Sequence, residues 1–258
     1  MEIKFSKYQG TGNDFILIDN RQLQFPKNNT KLVAQLCDRK FGIGADGLIL
    51  LENHTAADFT MVYYNADGNI SSMCGNGGRC ITDFAKHLGI IETTATFEAI
   101  DGMHQATIEN GVVSLKMNDV AKISEEENYT FLDTGSPHHV QLVDNLTAFD
   151  VYQNGRTIRN DVYGKAGANV NFVESKPNGV FAVRTYERGV ENETLSCGTG
   201  VTAVALAVHA RGLTASETVT LEQPGGQLQV RFKKTENGYK EVYLIGPATQ
   251  VFTGIISV

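Results

Sequence analysis

Short apolar stretches with period-two alternation dominate the chain, and stretches with helical spacing are few. In the first half, alternation predicts strands at IKFSKYQG, DFILIDN, GLILLEN, FTMVYYN, TATFEAIDG, HQATIENG and VVSLKMN. Two stretches have helical spacing: TKLVAQLCDRKFG, predicted to begin near Thr30 and stop at Gly42, and GGRCITDFAKHLG, predicted to end at Gly89. The first half is therefore predicted to be mostly strand with two helices.

The second half repeats this order of elements. Two strands come first, then a link with little helical character, then the strands NVNFVES and GVFAVRTYERG, the helix TGVTAVALAVHARG, and strands to the end. This helix is almost wholly apolar, so we expect strands of its own half to surround it. The last stretch, QVFTGIISV, alternates and predicts a final strand that returns to the first half.

A constant offset of 123 residues superimposes the two halves without gaps. It places Cys74 on Cys197, Thr11-Gly12 on Thr134-Gly135, Gly44-Ala45 on Gly167-Ala168, Gly75 on Gly198, Gly77 on Gly200 and Gly89 on Gly212. We therefore predict a duplicated α+β protein with halves at 1–119 and 120–249, the first completed by a strand at 250–258. The fold predicted is two pseudo-symmetric halves, each a β-barrel-like sheet wrapped around a central helix, with the active site in the cleft between them.

Composition and charge exclude several classes of partner. Of the 258 residues 41% are apolar and 20% charged, the formal net charge is −7, and no basic stripe is present. A nucleic acid or an acidic membrane surface is therefore not expected as a partner. The opening MEIKFSKYQG lacks the apolar core of a signal peptide, and no apolar run approaches the roughly 18 residues of a membrane span. We expect a cytoplasmic protein whose thiols stay reduced.

Two of the four cysteines stand immediately before a glycine-rich helix start. The stretches are MCGNGGRC, with Cys74, and SCGTGVTA, with Cys197. A helix N-terminus favours a thiolate and offers backbone N–H groups to a carboxylate, while glycine lets a ligand approach the backbone closely. If both cysteines face one small chiral substrate, one thiolate can remove the α-proton and the other thiol can protonate the opposite face. Inversion of configuration is the predicted chemistry.

Other roles explain the four cysteines less well. A zinc site is poorly supported, because Cys74 and Cys80 have no second ligand pair at metal spacing. His138 could serve a covalent cysteine nucleophile, but that leaves the second cysteine unexplained. Cys37 and Cys80 lie on apolar helix faces and are predicted to be packing residues. A redox switch between Cys74 and Cys197 would inactivate the site rather than explain it.

Five stretches together resemble the diaminopimelate epimerase family. They are YQGTGNDFILID, YNADGNISSMCGNGGRC, TGSPHHV, ANVNFV and YERGVENETLSCGTGVTA, and the resemblance runs from near residue 5 to near 210. It implies a cofactor-independent, metal-free homodimeric enzyme that interconverts LL- and meso-diaminopimelate in lysine and cell-wall precursor synthesis.

The resemblance also implies roles for individual residues. Cys74 and Cys197 match the catalytic pair, and His138 and Glu187 match residues that tune the pKa values of the cysteines. The positions that match substrate-binding residues are Asn13, Asn65, Gly75, Asn76, Asn169, Glu187, Arg188, Gly198 and Thr199. Arg188 suits the distal carboxylate of the substrate and Glu187 its ammonium group or a nearby cysteine.

The sequence departs from the family pattern at two positions and leaves two alternative functions open. Gly47 and Ser136 stand where some members carry a side-chain amide, so the way in which the distal end of the substrate is bound is left open. A related two-cysteine proline racemase or hydroxyproline epimerase is one alternative, although such enzymes tend to carry His where Asn76 stands. A non-catalytic amino-acid-binding protein of the same fold is the other, and it would not need both cysteines.

Overall fold

The computed structural model describes all residues, 1–258, and divides into two compact units. The first unit comprises Met1–Leu115 together with Gly246–Val258, and the second comprises Lys116–Ile245. No helix is long and apolar enough to cross a membrane.

The elements follow in chain order. The first 116 residues form β1 Glu2–Gly10, β2 Asn13–Asp19, α1 Thr30–Cys37, β3 Gly47–Glu52, β4 Phe59–Asn65, α2 Gly75–His87, β5 Thr94–Ala99, β6 Gly102–Glu109 and β7 Val112–Lys116. The rest form β8 Ile123–Glu125, β9 Thr130–Asp133, β10 Pro137–Leu142, α3 Val151–Thr157, β11 Asn169–Ser175, β12 Val180–Glu187, β13 Asn192–Thr194, α4 Gly198–Ala210, β14 Thr218–Gln223, β15 Gly226–Thr235, β16 Gly238–Pro247 and β17 Thr249–Ser257. Two short 3₁₀ turns, Leu146–Ala148 and Pro177–Gly179, and one π turn, Ile158–Val162, complete the second set.

Within the first unit, hairpins alternate with parallel crossovers. Strands β1 and β2 form a hairpin, and β1 also pairs antiparallel with β17. Strand β2 runs parallel to β3 across a connection that contains α1, and β3 and β4 form a second hairpin. Strand β4 then pairs parallel with β5, which begins the antiparallel meander β5-β6-β7.

The second unit has the same succession. Strands β9 and β10 form a hairpin, β10 runs parallel to β11 across a connection that contains α3, and β11 and β12 form the next hairpin. Strand β12 pairs parallel with β14, which begins the meander β14-β15-β16. The prediction of an α+β fold with two repeated halves is confirmed.

The helices preceded by Cys74 and Cys197 are each buried in their own unit. All residues of α4 from Gly200 to Val208 are buried, as expected of its apolar sequence. Helix α2 packs against β1, β2, β3 and β6, and Gly77 and Gly78 permit the close approach. A side chain at Gly78 would meet the Leu115 side chain at 2.9 Å. Burial of these helices provides most of their stability, because the glycines in the first turn, three in α2 and two in α4, give them a poor intrinsic propensity.

Two predictions about helices were wrong. Helix α1 ends at Cys37 rather than at Gly42, because the Asp38 carboxylate accepts the N–H groups of Lys40 and Phe41, both at 2.7 Å, and turns the chain. The link with little helical character contains α3, which the polar sequence VYQNGRT did not reveal. Asp150 caps it by accepting from Gln153 N at 3.0 Å.

Candidate active site

Cys74 and Cys197 occupy the same position at the start of equivalent helices. Cys74 is the N-cap residue of α2 and Cys197 that of α4. Both helices have 13 residues, and both cysteines have an extended backbone conformation. The first helical residues are Gly75 and Gly198, as the repeat predicts. Each thiol therefore lies in the positive field of a helix N-terminus, which favours a thiolate.

In the first unit, Asn13 and Asn76 meet beside the Cys74 thiol. The Cys74 Sγ lies 3.5 Å from Asn13 Oδ1, which also accepts from Asn76 Nδ2 at 3.2 Å. A tight turn between β1 and β2, with positive φ at Thr11 (51°) and Gly12 (86°), brings Asn13 to this place. Three residues that the family resemblance assigns to the site, Cys74, Asn13 and Asn76, therefore lie together.

Asp46 determines how the Asn13 amide is oriented. Its Oδ2 accepts from Asn13 Nδ2 at 2.7 Å, and a carboxylate can only accept, so the Asn13 carbonyl oxygen faces Cys74. Arg39 ties Asp46 to Asp14, with distances of 2.7 Å to each carboxylate, and Lys7 pairs with Asp14 at 2.7 Å. Burial alone would raise the pKa of Asp14, but hydrogen bonds from Arg39 and Lys7 lower it well below the usual range.

Arg79 lies in the second turn of α2 and is completely buried. Its Nη2 donates to Thr11 Oγ1 at 3.2 Å and to Asn76 Oδ1 at 3.1 Å, whereas Nε and Nη1 have no hydrogen-bond partner. Neither the repeat nor the family resemblance pointed to Arg79, although it lies within the MCGNGGRC stretch.

In the second unit, Thr199 lies beside Cys197. Its Oγ1 is 3.5 Å from Cys197 Sγ, and its carbonyl oxygen accepts from Thr134 Oγ1 at 2.9 Å. Gly200 lets β11 approach the helix, since a side chain there would come within 2.6 Å of Asn171 Oδ1 and 3.2 Å of the Cys197 sulfur. The repeat thus brings Cys197, Thr199 and Asn171 to one place.

His138 is buried between two asparagines of β11. Asn171 Nδ2 lies 3.2 Å from His138 Nδ1, and Asn169 Nδ2 lies 3.4 Å from Nε2. Burial, helped by the charge of Arg188, lowers the pKa of His138 to about 3, so the ring is neutral at physiological pH. Asn171 was missed, but the signal was present: Asn169 and Asn171 are two residues apart in a strand and share a face.

The asparagine amides around His138 are held by their other partners. Asn169 Oδ1 accepts from the Arg188 backbone N–H at 2.8 Å, and Asn171 Oδ1 accepts from Thr185 Oγ1 at 3.0 Å. Both amide groups therefore direct an N–H towards a ring nitrogen. A neutral imidazole has only one nitrogen that can accept, so only one of the two amides can donate a hydrogen bond to it.

Glu187 ends β12, and Arg188 follows it directly. Arg188 Nη1 donates to the Ala166 carbonyl at 2.9 Å. Arg188 forms no ion pair with Glu191 or Glu193, because those carboxylates pair with Arg159 at 3.0 Å and Arg184 at 2.6 Å.

Asn65 ends β4 with an exposed side chain, and its backbone closes a turn by hydrogen bonds with Asn69 O and Gly68 N, both at 2.9 Å. Its side chain forms no hydrogen bond with Asn13 or Cys74, so in this structure Asn65 serves as a turn residue.

The other two cysteines are buried, and the possible metal ligands are not clustered. Cys37 and Cys80 are buried, and burial raises the pKa of Cys37 to about 12 and that of Cys80 further, as expected of packing residues. No group of three or more His, Cys, Asp or Glu side chains is arranged to hold a metal ion.

Comparison with known proteins identifies the family. A family model described as "Diaminopimelate epimerase" matches residues 5–123 and 130–251. A protein named diaminopimelate epimerase from Flavobacterium psychrophilum is 58% identical over 252 residues, covering 97% of this chain and 98% of the relative. The chain belongs to the diaminopimelate epimerase family. A relative of the same name from Chlorobaculum tepidum is 42% identical, covering 96% of this chain and 99% of its own.

Solved structures show how widely the fold is shared. A phenazine biosynthesis protein of the PhzF family from Bacillus anthracis has a TM-score of 0.81 at 14% identity, with both chains covered fully. A hydroxyproline epimerase from Agrobacterium vitis has a TM-score of 0.72 at 15% identity, covering 100% of this chain and 93% of its own. At such identities the likeness concerns the fold alone, so the hydroxyproline epimerase alternative is not favoured over the family of the closer relatives.

Proposed function

We propose that this chain interconverts LL- and meso-diaminopimelate by moving one proton at the α-carbon, without a cofactor. One observation carries the proposal: each repeated unit places a cysteine at the N-terminus of a buried helix, at equivalent positions, in a chain of this family. Isomerase activity and a role in lysine biosynthesis follow from the family membership.

The chemistry needs a base and an acid at one carbon. One cysteine acts as thiolate and takes the α-proton, becoming a thiol, and the carbon is left as a carbanion stabilised by its carboxylate. The other cysteine, as thiol, gives its proton to the opposite face and becomes the thiolate. The configuration inverts and total charge is conserved. The reverse reaction exchanges the two roles, so both thiols must reach the same carbon.

The helix starts supply the electrostatic part of the mechanism. The backbone N–H groups at Gly75-Asn76 and at Gly198-Thr199 are the donors that suit the substrate α-carboxylate and the charge that develops on it. Asn13 in the first unit and Asn169 in the second add side-chain amides whose orientation is fixed by their hydrogen bonds. Because these groups are held before substrate binds, little reorganisation accompanies the proton transfer.

The distal amino-acid group of the substrate needs a cation and an anion. We assign these roles to Arg188 and Glu187, which are adjacent at the end of β12. Asn65, which stands at the end of the equivalent strand β4, is a further candidate contact once substrate is present. His138, neutral and buried, positions Asn169 rather than acting as a base.

The first experiment is proton NMR of LL-diaminopimelate with the reduced protein in D2O. Loss of the α-proton signal together with appearance of the meso isomer would support the proposal. Exchange with proline or 4-hydroxyproline but not with diaminopimelate would transfer the same mechanism to another substrate. Absence of exchange with all three would refute an epimerase function.

Assembly and compartment are part of the proposal. We propose a homodimer, supported by apolar side chains that β17 leaves exposed at Val251, Phe252 and Ile255. Light scattering at micromolar concentration would give the mass, and a monomer would contradict it. A reducing cytoplasmic location suits a mechanism that depends on two thiols.

A further inference from the structure

The guanidinium of Arg79 is a buried cation with no carboxylate to balance it. The side chain is 0% exposed, takes part in no ion pair, and two of its three nitrogens have no hydrogen-bond partner. An uncompensated charge in the interior is costly, and buried charges are normally paired. Such a group in a native structure calls for a specific partner.

The only anions within electrostatic reach of Arg79 would be thiolates. The charges that act on its guanidinium are those of the Cys80 and Cys74 sulfurs. Cys80 is completely buried, and burial raises its pKa far above the usual range, so it stays a neutral thiol. Asp83, four residues further along α2, interacts with Tyr8, and no carboxylate is among the charges that act on the guanidinium. Cys74 is left as the counter-charge.

A chain of hydrogen bonds joins the guanidinium to the Cys74 sulfur. Arg79 Nη2 donates to Asn76 Oδ1 at 3.1 Å, Asn76 Nδ2 donates to Asn13 Oδ1 at 3.2 Å, and the same oxygen lies 3.5 Å from Cys74 Sγ. Cys74 is the N-cap residue of α2 and Arg79 lies in its second turn, so the cation and the N-terminal end of the helix act on the thiol together.

One contact in the same cluster works in the opposite direction. Because Asp46 holds the Asn13 amide, the carbonyl oxygen of Asn13 faces Cys74 and accepts from its protonated form. That contact by itself favours the thiol. A strong nearby cation is therefore needed if Cys74 is to act as a base, and Arg79 is the cation present.

The second unit lacks this cation. The 123-residue offset places Thr202 of α4 on Arg79 of α2, and Thr202 is a buried neutral residue whose hydroxyl donates to Gly198 O at 2.9 Å. The cation of that site, Arg188, lies after β12 with its side chain bound to the Ala166 carbonyl. The repeated helices therefore differ in charge at one equivalent buried position.

We propose that Arg79 is the counter-charge of the Cys74 thiolate and makes Cys74, not Cys197, the cysteine that is ionised in the substrate-free protein. Arg79 acts through Cys74 and does not touch substrate. The proposal rests on the proposed roles of the two cysteines in epimerisation, and it makes Cys74 the base for the epimer whose α-proton faces it.

The test is the pH dependence of alkylation by iodoacetamide, with the modified peptide identified by mass spectrometry. Cys197→Ser protein reports on Cys74, and Cys74→Ser protein reports on Cys197. The pH midpoints of alkylation are compared rather than its absolute rates, because the Cys197 thiol is less accessible to the reagent than the Cys74 thiol. Arg79→Met removes the charge at similar volume, Arg79→Lys retains it, and Thr202→Val is the matched control on α4.

We expect Cys74 to have the lower midpoint of the two cysteines. Arg79→Met should raise the Cys74 midpoint by at least about one pH unit, which lowers alkylation near neutral pH about tenfold. Arg79→Lys should keep the Cys74 midpoint close to that of the parent, a rescue that a purely structural role would not produce. Thr202→Val should leave the Cys197 midpoint unchanged.

The proposal is overturned if the Cys74 midpoint is unchanged in folded Arg79→Met protein, or if Cys197 has the lower midpoint in protein that retains Arg79. The second comparison needs no substitution at Arg79, so it decides the matter even if Arg79→Met does not fold. Alkylation requires no turnover. Failure of the epimerase proposal would instead appear as absence of α-proton exchange by the unsubstituted protein.

Discussion

Asn13 Nδ2 lies 2.7 Å from Asp46 Oδ2, and this contact sets which side of the Asn13 amide the Cys74 thiol meets. Asp46 in turn is held by Arg39, which also binds Asp14. The oxygen and nitrogen ends of an amide have nearly the same shape. A partner that can only accept, such as the Asp46 carboxylate, therefore determines which end faces it. This network, which extends to the exposed Arg39, thus determines that an oxygen and not an N–H of Asn13 faces Cys74.

Replacing Asp46 with alanine should weaken catalysis without unfolding the protein. The Asn13 amide would be free to rotate and would lose its preorganised contact, so we expect kcat/KM for diaminopimelate to fall about tenfold, or about 1.4 kcal/mol. Steady-state kinetics would measure this. Asp19→Ala is the control, since it removes an exposed ion pair with Arg21 and should change kcat/KM little. Equal kinetics for the two variants would refute the orienting role of Asp46.

Cys74→Ser and Cys197→Ser should each abolish most epimerisation while the protein stays folded. A serine hydroxyl is a far weaker acid than a thiol and stays un-ionised near neutral pH, so it supplies neither the base nor an effective acid, and we expect losses of about 10²–10⁴-fold in kcat. NMR of α-proton exchange measures turnover, and circular dichroism checks the fold. Near-normal turnover in either variant would contradict the two-base assignment.

Oxidation should inactivate the protein reversibly. If both thiols reach one α-carbon, mild oxidation joins Cys74 to Cys197, and a reducing agent restores activity. Peptide mapping by mass spectrometry identifies the linkage. A bond that involves Cys37 or Cys80 in the inactive protein would argue against this arrangement.

His138 should make the protein sensitive to acid. Its pKa is about 3 in the folded state because burial penalises the charged ring, against an ordinary value near 6.5 in the unfolded chain. Below pH 6.5 the unfolded state binds a proton that the folded state does not. This contribution to stability is therefore intact above 6.5 and is lost as pH falls towards 3, at about 1.4 kcal/mol per pH unit.

Urea unfolding at pH 7, 6 and 5 would measure the effect. His138→Gln should flatten the decline of the unfolding free energy with falling pH. His87→Gln, which alters an exposed ring in the last turn of α2, should leave the decline as it is. An identical decline in His138→Gln and the unsubstituted protein would show that this residue does not control acid stability.

Gly47 should not tolerate a side chain. A β-carbon there would lie 2.5 Å from Tyr63 Cε2 and 2.6 Å from the Tyr64 carbonyl oxygen, and the second contact is with backbone. We expect Gly47→Ala to reduce the unfolding free energy by about 1–3 kcal/mol through overpacking. Chemical denaturation provides the measurement, and unchanged stability would mean that β3 and β4 can separate there at low cost. The glutamine that some family members carry at this position therefore does not fit this chain as it stands.

Much of the fold was predictable because the two halves of the sequence repeat the same order of elements. Alternating apolar residues identified most strands, and helix α4 was recognised as buried because it is apolar on every side. Helix α3 was not predictable from its own sequence, since a glycine in its middle and polar neighbours lower its propensity. That glycine is explained only by the packed structure, where a β-carbon at Gly155 would lie 2.3 Å from Tyr186 Cβ.

By itself, the sequence determined the duplication, the two cysteines at equivalent helix starts, and the residues that bear the family resemblance, because these depend on spacing along one chain. Only the tertiary structure decided that Asp46 orients Asn13, that Asn171 joins Asn169 at His138, and that Arg79 is buried without a carboxylate. Those relationships depend on desolvation and on hydrogen-bond geometry among residues distant in sequence. A local pattern of residue types carries no information about either.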